Sequence, residues 1–287
     1  MNSLLLTFSD PTIYLSFSIL IGLLIGSFLN VVSYRLPRML QTNYIKECSE
    51  FLKLEPPVSS EATQDTFNLM FPHSHCPQCQ HRIAMRDNIP IFSYCWLRGR
   101  CRHCQHKIHW QYPAVELVCA ILTFLVTWQF GWQLLTLGFL LLTWNLIALT
   151  VIDLEHLIIP DEMSLSFLWL GLLINLNHTL VPLQDAVLGA TVGYLSLWSI
   201  YWVFKLLTGK EGMGYGDFKL TAMLGAWFGW QQLPLIIFLS AFIGLFFGMY
   251  HILIKKQSKD TPFAFGPFIS LAGIVAMLWG NQLLRIF

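Results

Sequence analysis

Long apolar stretches separated by short polar turns constrain this chain more than any other feature. A membrane-crossing helix needs roughly 20 mostly apolar residues. Candidates lie at 11–32, 113–130, 132–152, 163–181, 186–207, 218–230, 233–254 and 263–283. The stretch 218–230 is the short one and contains Gly225 and Gly229, so it is expected to tilt, thin the bilayer or pack centrally. Only 11% of residues are charged and 55% are hydrophobic, against about a quarter charged in soluble domains. A water-soluble globule is excluded. The expected fold class is an all-α polytopic membrane protein with about eight transmembrane helices.

Charge is unevenly spread. Between Ser33 and Tyr112 there are 10 Lys/Arg and 6 Asp/Glu, a net +4 in a chain whose overall formal charge is +1. This divides the chain into a first membrane helix (1–32), a polar insert (33–112) and a seven-helix membrane part (113–287). No positive residue precedes the first apolar stretch, whereas Arg35 and Arg38 follow it. It therefore reads as a retained helix with its N-terminus outside, not as a cleaved signal. Eight crossings then put Arg35, Arg38, Lys210, Lys255, Lys256 and Lys259 in the cytoplasm, while the opposite turns carry no Lys or Arg. Within the insert, the polar stretch 42–64 has few turn or motif signals and is expected to be partly mobile. No internal repeat of the transporter kind is visible, and no nucleic-acid partner is expected.

The insert holds Cys76-Pro77-Gln78-Cys79 and Cys101-Arg102-His103-Cys104. Two such knuckles at this separation read as a four-thiolate zinc site. A reducing cytoplasm disfavours disulfides, and nothing nearby suggests a thioredoxin-like redox pair. Four thiolates leave no open coordination position, so the zinc is expected to be structural, holding together an insert too small to build its own core. His73, His75, His81, His103, His106 and His109 read as solvated loop residues, with His75 or His103 replacing a cysteine ligand as the alternative. Cys48, Cys95 and Cys119 read as small buried hydrophobes.

Acids at the ends of apolar segments are the second chemical signal, because ionisable groups at membrane helices are costly. Asp153 closes the third segment. Asp217 opens the sixth, in Gly214-Tyr215-Gly216-Asp217-Phe218-Lys219. Two carboxylates can share peptide hydrolysis, one ionised to take a proton from water and one protonated to donate to the carbonyl oxygen or leaving amine. The dipole at a helix C-terminus disfavours negative charge, and at an N-terminus favours it. That marks Asp153 as the proton-bearing partner and Asp217 as the base, the alternative being that the proton belongs only to the coupled pair. Gly214 and Gly216 would position substrate by allowing close backbone approach. Asp161, after Pro160, is expected to cap the following helix. Glu155, Glu162 and Glu211 are expected to be solvated.

Taken together, these motifs closely resemble the bacterial prepilin peptidases. The matching residues are Gly26-Ser27-Phe28-Leu29-Asn30-Val31-Val32 with Arg35-Leu36-Pro37, Ser74-His75-Cys76-Pro77, and Asn88-Ile89-Pro90. They continue with Leu97-Arg98-Gly99, both cysteine pairs, Tyr112-Pro113-Ala114-Val115-Glu116, and Asp153 through Pro160-Asp161. Gly214 to Lys219 and Phe265-Gly266-Pro267-Phe268 complete the set. The resemblance implies an aspartic protease of the GxGD type whose catalytic pair falls on Asp153 and Asp217. It implies removal of the basic leader from type IV prepilins and type II secretion pseudopilins at the inner-membrane cytoplasmic face. It further implies N-methylation of the new terminus from S-adenosyl-L-methionine, with the zinc insert marking the bifunctional form.

No glycine-rich fingerprint follows a strand, so no methyl-donor residue is assigned. Asn30, Glu116 and the arginines at 98–102 qualify by polarity and side alone. Helix packing for Asn30, interfacial hydrogen bonding for Glu116 and anionic-lipid contact for the arginines are the preferred readings. Two other function classes compete: a zinc-containing membrane scaffold without catalysis, which has no need of Asp153 and Asp217, and a transporter, whose acids would lie near the bilayer midplane.

Overall fold

The computed structural model describes residues 11–53, 67–210, 212–253 and 263–284. Each of the eight expected segments is helical: α1 Pro11–Leu52, α2 Gln111–Phe130, α3 Leu134–His156, α4 Asp161–Ile174, α5 Leu183–Thr208, α6 Tyr215–Phe228, α7 Leu233–Leu253 and α8 Gly266–Leu283. Among the described residues, five helical stretches, Pro11–Leu52, Gln111–Phe130, Leu134–His156, Leu183–Thr208 and Trp230–Tyr250, are long and apolar enough to cross a membrane. Helices α4 and α6 have 14 residues each. They rise about 21 Å, short of a hydrocarbon core of about 30 Å. Contacts divide the chain into two compact units, 1–148 and 149–287. These follow packing, whereas the three-part division by polarity follows composition along the chain.

In the first unit, α1 and α2 run antiparallel with their backbones in near contact. A Cβ at Gly22 would lie 2.6 Å from Ala120 Cα, and one at Gly26 would lie 2.7 Å from Glu116 Cα. One turn further, Asn30 Nδ2 donates to the Tyr112 carbonyl at 3.1 Å. Small residues at a four-residue interval therefore set this register.

The first helix does not stop at residue 32. It continues through Pro37 to Leu52, because residues 38–52 contain no Gly or Pro and several good helix formers. Their polarity marks departure from the apolar layer, not the end of the helix, and Pro37 removes only one backbone hydrogen bond. The stretch expected to be mobile is thus helical as far as Leu52, and its remainder, 54–64, lies outside the described residues. Beyond it, the buried Arg35 guanidinium donates to the carbonyls of Asn68 at 2.8 Å and Pro72 at 2.5 Å, fastening the insert to α1.

In the second unit, α6 is the central element, buried from Asp217 to Phe228 apart from the half-buried Lys219. Central packing was one of the outcomes expected of this short segment. Glycines permit it: a Cβ on Gly189 of α5 would fall on the Gly225 carbonyl, and one on Gly193 would lie 2.8 Å from the Thr221 carbonyl. Gly171 of α4 receives the Trp227 ring, whose Nε1 donates to the Phe167 carbonyl at 2.8 Å. Buried Asn175 closes the far end. Its Nδ2 donates to the Ala226 carbonyl, and its Oδ1 accepts from the Leu180 and Val181 amides.

Candidate functional site

Asp153 lies one turn from the C-terminus of α3, 5% exposed. Its Oδ2 accepts the Gly266 N–H at 2.9 Å. Asp217 is the third residue of α6, 6% exposed, and its carboxylate accepts the Gly214 N–H. The two carboxylates interact electrostatically within the second unit. Two acids separated by 64 positions in sequence are thereby brought to one place, buried and held by backbone amides. Three rings brace the start of α6: Tyr201 of α5 lies 5.4 Å from Tyr215 and 5.7 Å from Phe218, centroid to centroid.

Gly266 is the first residue of α8, so the N-terminus of that helix is directed at Asp153. The assignment of Asp153 as proton-bearing partner considered only the C-terminus of its own helix. With an α8 amide donating to Asp153 and Asp217 near the start of α6, each carboxylate meets a helix N-terminus. Dipole direction therefore no longer separates their roles, and one proton is best treated as belonging to the pair.

The glycines have a steric reason. A Cβ on Gly216 would lie 2.8 Å from Ile159 Cβ. A Cβ on Gly266 would lie 2.7 Å from Asp153 Oδ2 and 3.0 Å from Ile159 Cδ1. Ile159, in the loop after α3, is therefore seated between two positions that tolerate no side chain. Neither Gly214 nor Gly216 is among the positive-φ residues. Gly216 serves close approach, and Gly214 is the N-cap of α6 in an extended conformation.

Asp161 does not cap. It is the first residue of α4, Pro160 occupies the cap position without a side-chain hydrogen bond, and both Asp161 oxygens accept from Lys219 Nζ at 2.6 and 2.7 Å. This pair ties α4 to α6 two residues beyond Asp217. Sequence reasoning missed it, since the partners are 58 positions apart. Glu155 and Glu162 are exposed, and Glu211 lies outside the described residues.

In the first unit, the ligand atoms of Cys76, Cys79, Cys101 and Cys104 all lie within 4.8 Å of one another. The Cys76 and Cys104 sulfurs are 3.7 Å apart. Tetrahedral zinc with bonds of about 2.3 Å requires sulfur separations of about 3.8 Å, whereas a disulfide requires about 2.05 Å. The four thiols thus fit zinc, and none of the histidines completes the cluster.

The knuckles are structural copies. The Cys76 N–H donates to the His81 carbonyl and the Cys101 N–H to the His106 carbonyl; Gln80 and Gln105 both adopt positive φ. The copy is legible as Cys-x-x-Cys-Gln-His-basic-Ile at 76–83 and 101–108, a repeat too short to attract notice beside transporter-sized ones. Backbone amides of Cys79 and Gln78 directed at the Cys76 sulfur hold its thiol down at about 7. Arg102, inside the second knuckle, grips Asp87 through two hydrogen bonds of 2.5 and 2.8 Å, holding that carboxyl below its usual range.

Of the polar residues near the α1–α2 contact, Asn30 and Glu116 are both buried. Glu116 Oε2 accepts the Ile91 N–H at 2.8 Å, and the Ser27 side chain lies beside its carboxyl group.

Comparison with known proteins gives matches along most of the chain. The Bacterial Peptidase A24 N-terminal domain matches residues 20–130, and the Type IV leader peptidase family matches residues 140–249. The prepilin leader peptidase/N-methyltransferase of Pseudomonas aeruginosa is 49% identical, covering 97% of this chain and 95% of its own length. That of Stutzerimonas stutzeri is 49% identical over 96% and 94%, and that of Neisseria gonorrhoeae 48% over 92% and 90%. No solved structure matches.

Proposed function

Since this chain belongs to the type IV leader peptidase family, we propose that it cleaves the leader from type IV prepilins and N-methylates the amine so exposed. The observation that carries the reading is the buried carboxylate pair, Asp153 and Asp217, inside the segment that matches the peptidase family. A non-catalytic scaffold has no use for two acids kept at 5% and 6% exposure, because burying carboxylates costs several kcal/mol without a task that repays it.

The pair shares one proton. The ionised member takes a proton from water as the water attacks the scissile carbonyl, and the protonated member donates to the leaving amine. Gly266 and Gly214 amides keep the carboxylates oriented between turnovers. Gly214, where a Cβ would meet only the Asp217 carboxylate at 4.0 Å, leaves room for an extended substrate backbone beside Asp217, whereas the space at Gly216 is taken by Ile159. Cys76, Cys79, Cys101 and Cys104 hold a structural zinc. S-adenosyl-L-methionine supplies the methyl group as an electrophile. The enzyme works in the bacterial inner membrane, lipid-embedded, with the pair at the cytoplasmic face, and the pseudopilins of type II secretion are further substrates. The functional division is a first membrane segment within 1–32, whose helix runs on into the insert, a zinc insert at 33–112 and a peptidase part at 113–287.

The test is incubation of the purified, detergent-solubilised protein with a prepilin and methyl-labelled S-adenosyl-L-methionine. Release of the leader followed by label on the new N-terminus is expected. An intact, unlabelled precursor under conditions where the protein is folded and metal-loaded overturns the reading.

A further inference from the structure

Glu116 carries a buried carboxyl group that the hydrolytic pair does not use and that the fold engages through the Ile91 amide. It is buried at 8% exposure, five residues into α2, where α1 crosses at Gly26. The Ile91 N–H donates to it at 2.8 Å, and the Ser27 side chain lies beside it. Among the described residues no Lys, Arg or His pairs with it. A buried carboxylate without a cation is expensive, and a neutral acceptor would serve the Ile91 amide at lower desolvation cost.

A carboxylate accepts about four hydrogen bonds, so roughly two positions on Glu116 stay open. The next turn of α1 adds Asn30, whose Nδ2 is committed to the Tyr112 carbonyl, which leaves its Oδ1 as a further acceptor. One more turn along the same face is Ser33, 2% exposed, with no hydrogen-bond partner. Side chains on α2 lean toward its N-terminus, which carries the Glu116 carboxylate toward the Asn30 level. The site is rich in acceptors, includes one buried carboxyl group, and lies within about 8 Å of the start of a membrane-length helix. It suits a primary ammonium: a compact cation with three donors.

We propose that Glu116, supported by Ser27 and Asn30, binds the α-ammonium of the processed substrate chain and takes its proton for methyl transfer. This rests on the proposed peptidase/N-methyltransferase reading and deepens it by assigning the amine a site in the first unit, apart from Asp153 and Asp217. The step balances. The ammonium gives one proton to Glu116, the amine lone pair forms the new N–C bond, and the S–C bond of the donor breaks with its electron pair left on sulfur.

The test is equilibrium binding of two peptides to the full-length, zinc-loaded protein in detergent. Both share an apolar sequence starting with Phe, one with a free α-amine and one N-acetylated. Wild type is expected to bind the free amine about tenfold or more tightly, the scale of a charged hydrogen bond. Glu116→Gln, which keeps an acceptor for Ile91 and so spares a structural role, is expected to bring the two peptides within about twofold. Glu116→Asp is expected to restore part of the preference. S-adenosylhomocysteine, which carries its own ammonium, is the third ligand, and its affinity is expected to be the same in wild type and Glu116→Gln.

Equal wild-type affinity for the two peptides, or a Glu116→Gln protein that still prefers the free amine, overturns the inference while leaving leader cleavage standing. Weakened S-adenosylhomocysteine binding with peptide preference intact also overturns it, placing the donor at Glu116. Failure of wild type to bind either peptide overturns this inference alone, whereas failure to cleave a prepilin overturns the reading on which it rests.

Discussion

Replacing Gly266 by alanine separates the cost to the fold from the cost to the chemistry. The new Cβ would lie 2.7 Å from Asp153 Oδ2 and 3.3 Å from its Cγ, with Ile159 Cδ1 at 3.0 Å. Ordinary contact begins near 3.4 Å, so the carboxylate oxygen must retreat by about 0.7 Å or rotate away from the Gly266 amide. For the fold this is cheap, because the atom that moves ends a flexible side chain, and the penalty stays near 1 kcal/mol. For the proposed catalysis it is not, since that oxygen belongs to the carboxylate pair assigned the hydrolysis. Loss of a charged hydrogen bond of roughly 1.5–3 kcal/mol and a displacement approaching 1 Å each predict a fall of about 10- to 100-fold in leader cleavage. The assay is initial-rate cleavage of a purified prepilin by Gly266→Ala, with thermal midpoint and zinc content measured alongside. Gly248→Ala is the control: it lies in α7 with nothing within 4 Å of its would-be Cβ. It should cleave normally with an unchanged or slightly raised midpoint. Wild-type cleavage by Gly266→Ala would refute the positioning of Asp153 by α8.

Gly225→Ala should act the opposite way. Its Cβ meets the backbone of Gly189, which cannot rotate aside, so a loss of about 1–3 kcal/mol should appear as a lowered thermal midpoint, and an unchanged one would contradict the packing. Lys219→Met breaks the pair with Asp161, whose side chains are 28% and 48% exposed. Solvent screening limits the cost to about 1 kcal/mol or less, readable in the same melt; a much larger drop would mean the pair is buried when the protein is in its membrane. Metal analysis should find one zinc per chain, and Cys76→Ser or Cys101→Ser should release it, destabilise the insert and impair methylation at least as much as cleavage. A metal-free quadruple Cys→Ser variant with both activities intact would remove zinc from the account.

The parts legible in the sequence were those whose chemistry dictates residue type at short spacing. Four cysteines in two knuckles announce their cluster, and apolar runs announce their helices, because bilayer thickness leaves few alternatives. Asp153 and Asp217 stood out because acids are rare in such runs. What escaped depends on contacts across the fold. Polarity after Val32 suggested a loop, yet the helix former content of 38–52 carries α1 to Leu52. Asp161 looked like a cap because Pro160 precedes it, but Lys219, 58 positions away, claims both its oxygens. Local dipole direction could not settle the proton roles on the same ground: nothing local to Asp153 reveals that α8 begins against it, 113 positions later. Gly216 could be flagged from its motif, but its partner Ile159 appears only once the loop after α3 is folded back.

The central claim is that Asp153 and Asp217 act as one hydrolytic pair, and cleavage by Asp153→Asn and Asp217→Asn tests it most directly. Each variant should be purified folded, with its zinc and with a thermal midpoint near that of wild type, and assayed on a purified prepilin. The account predicts that either substitution alone removes leader release almost completely and that combining them costs little more, as expected of groups that act as a unit. Leader release at the wild-type rate by either folded variant would contradict it.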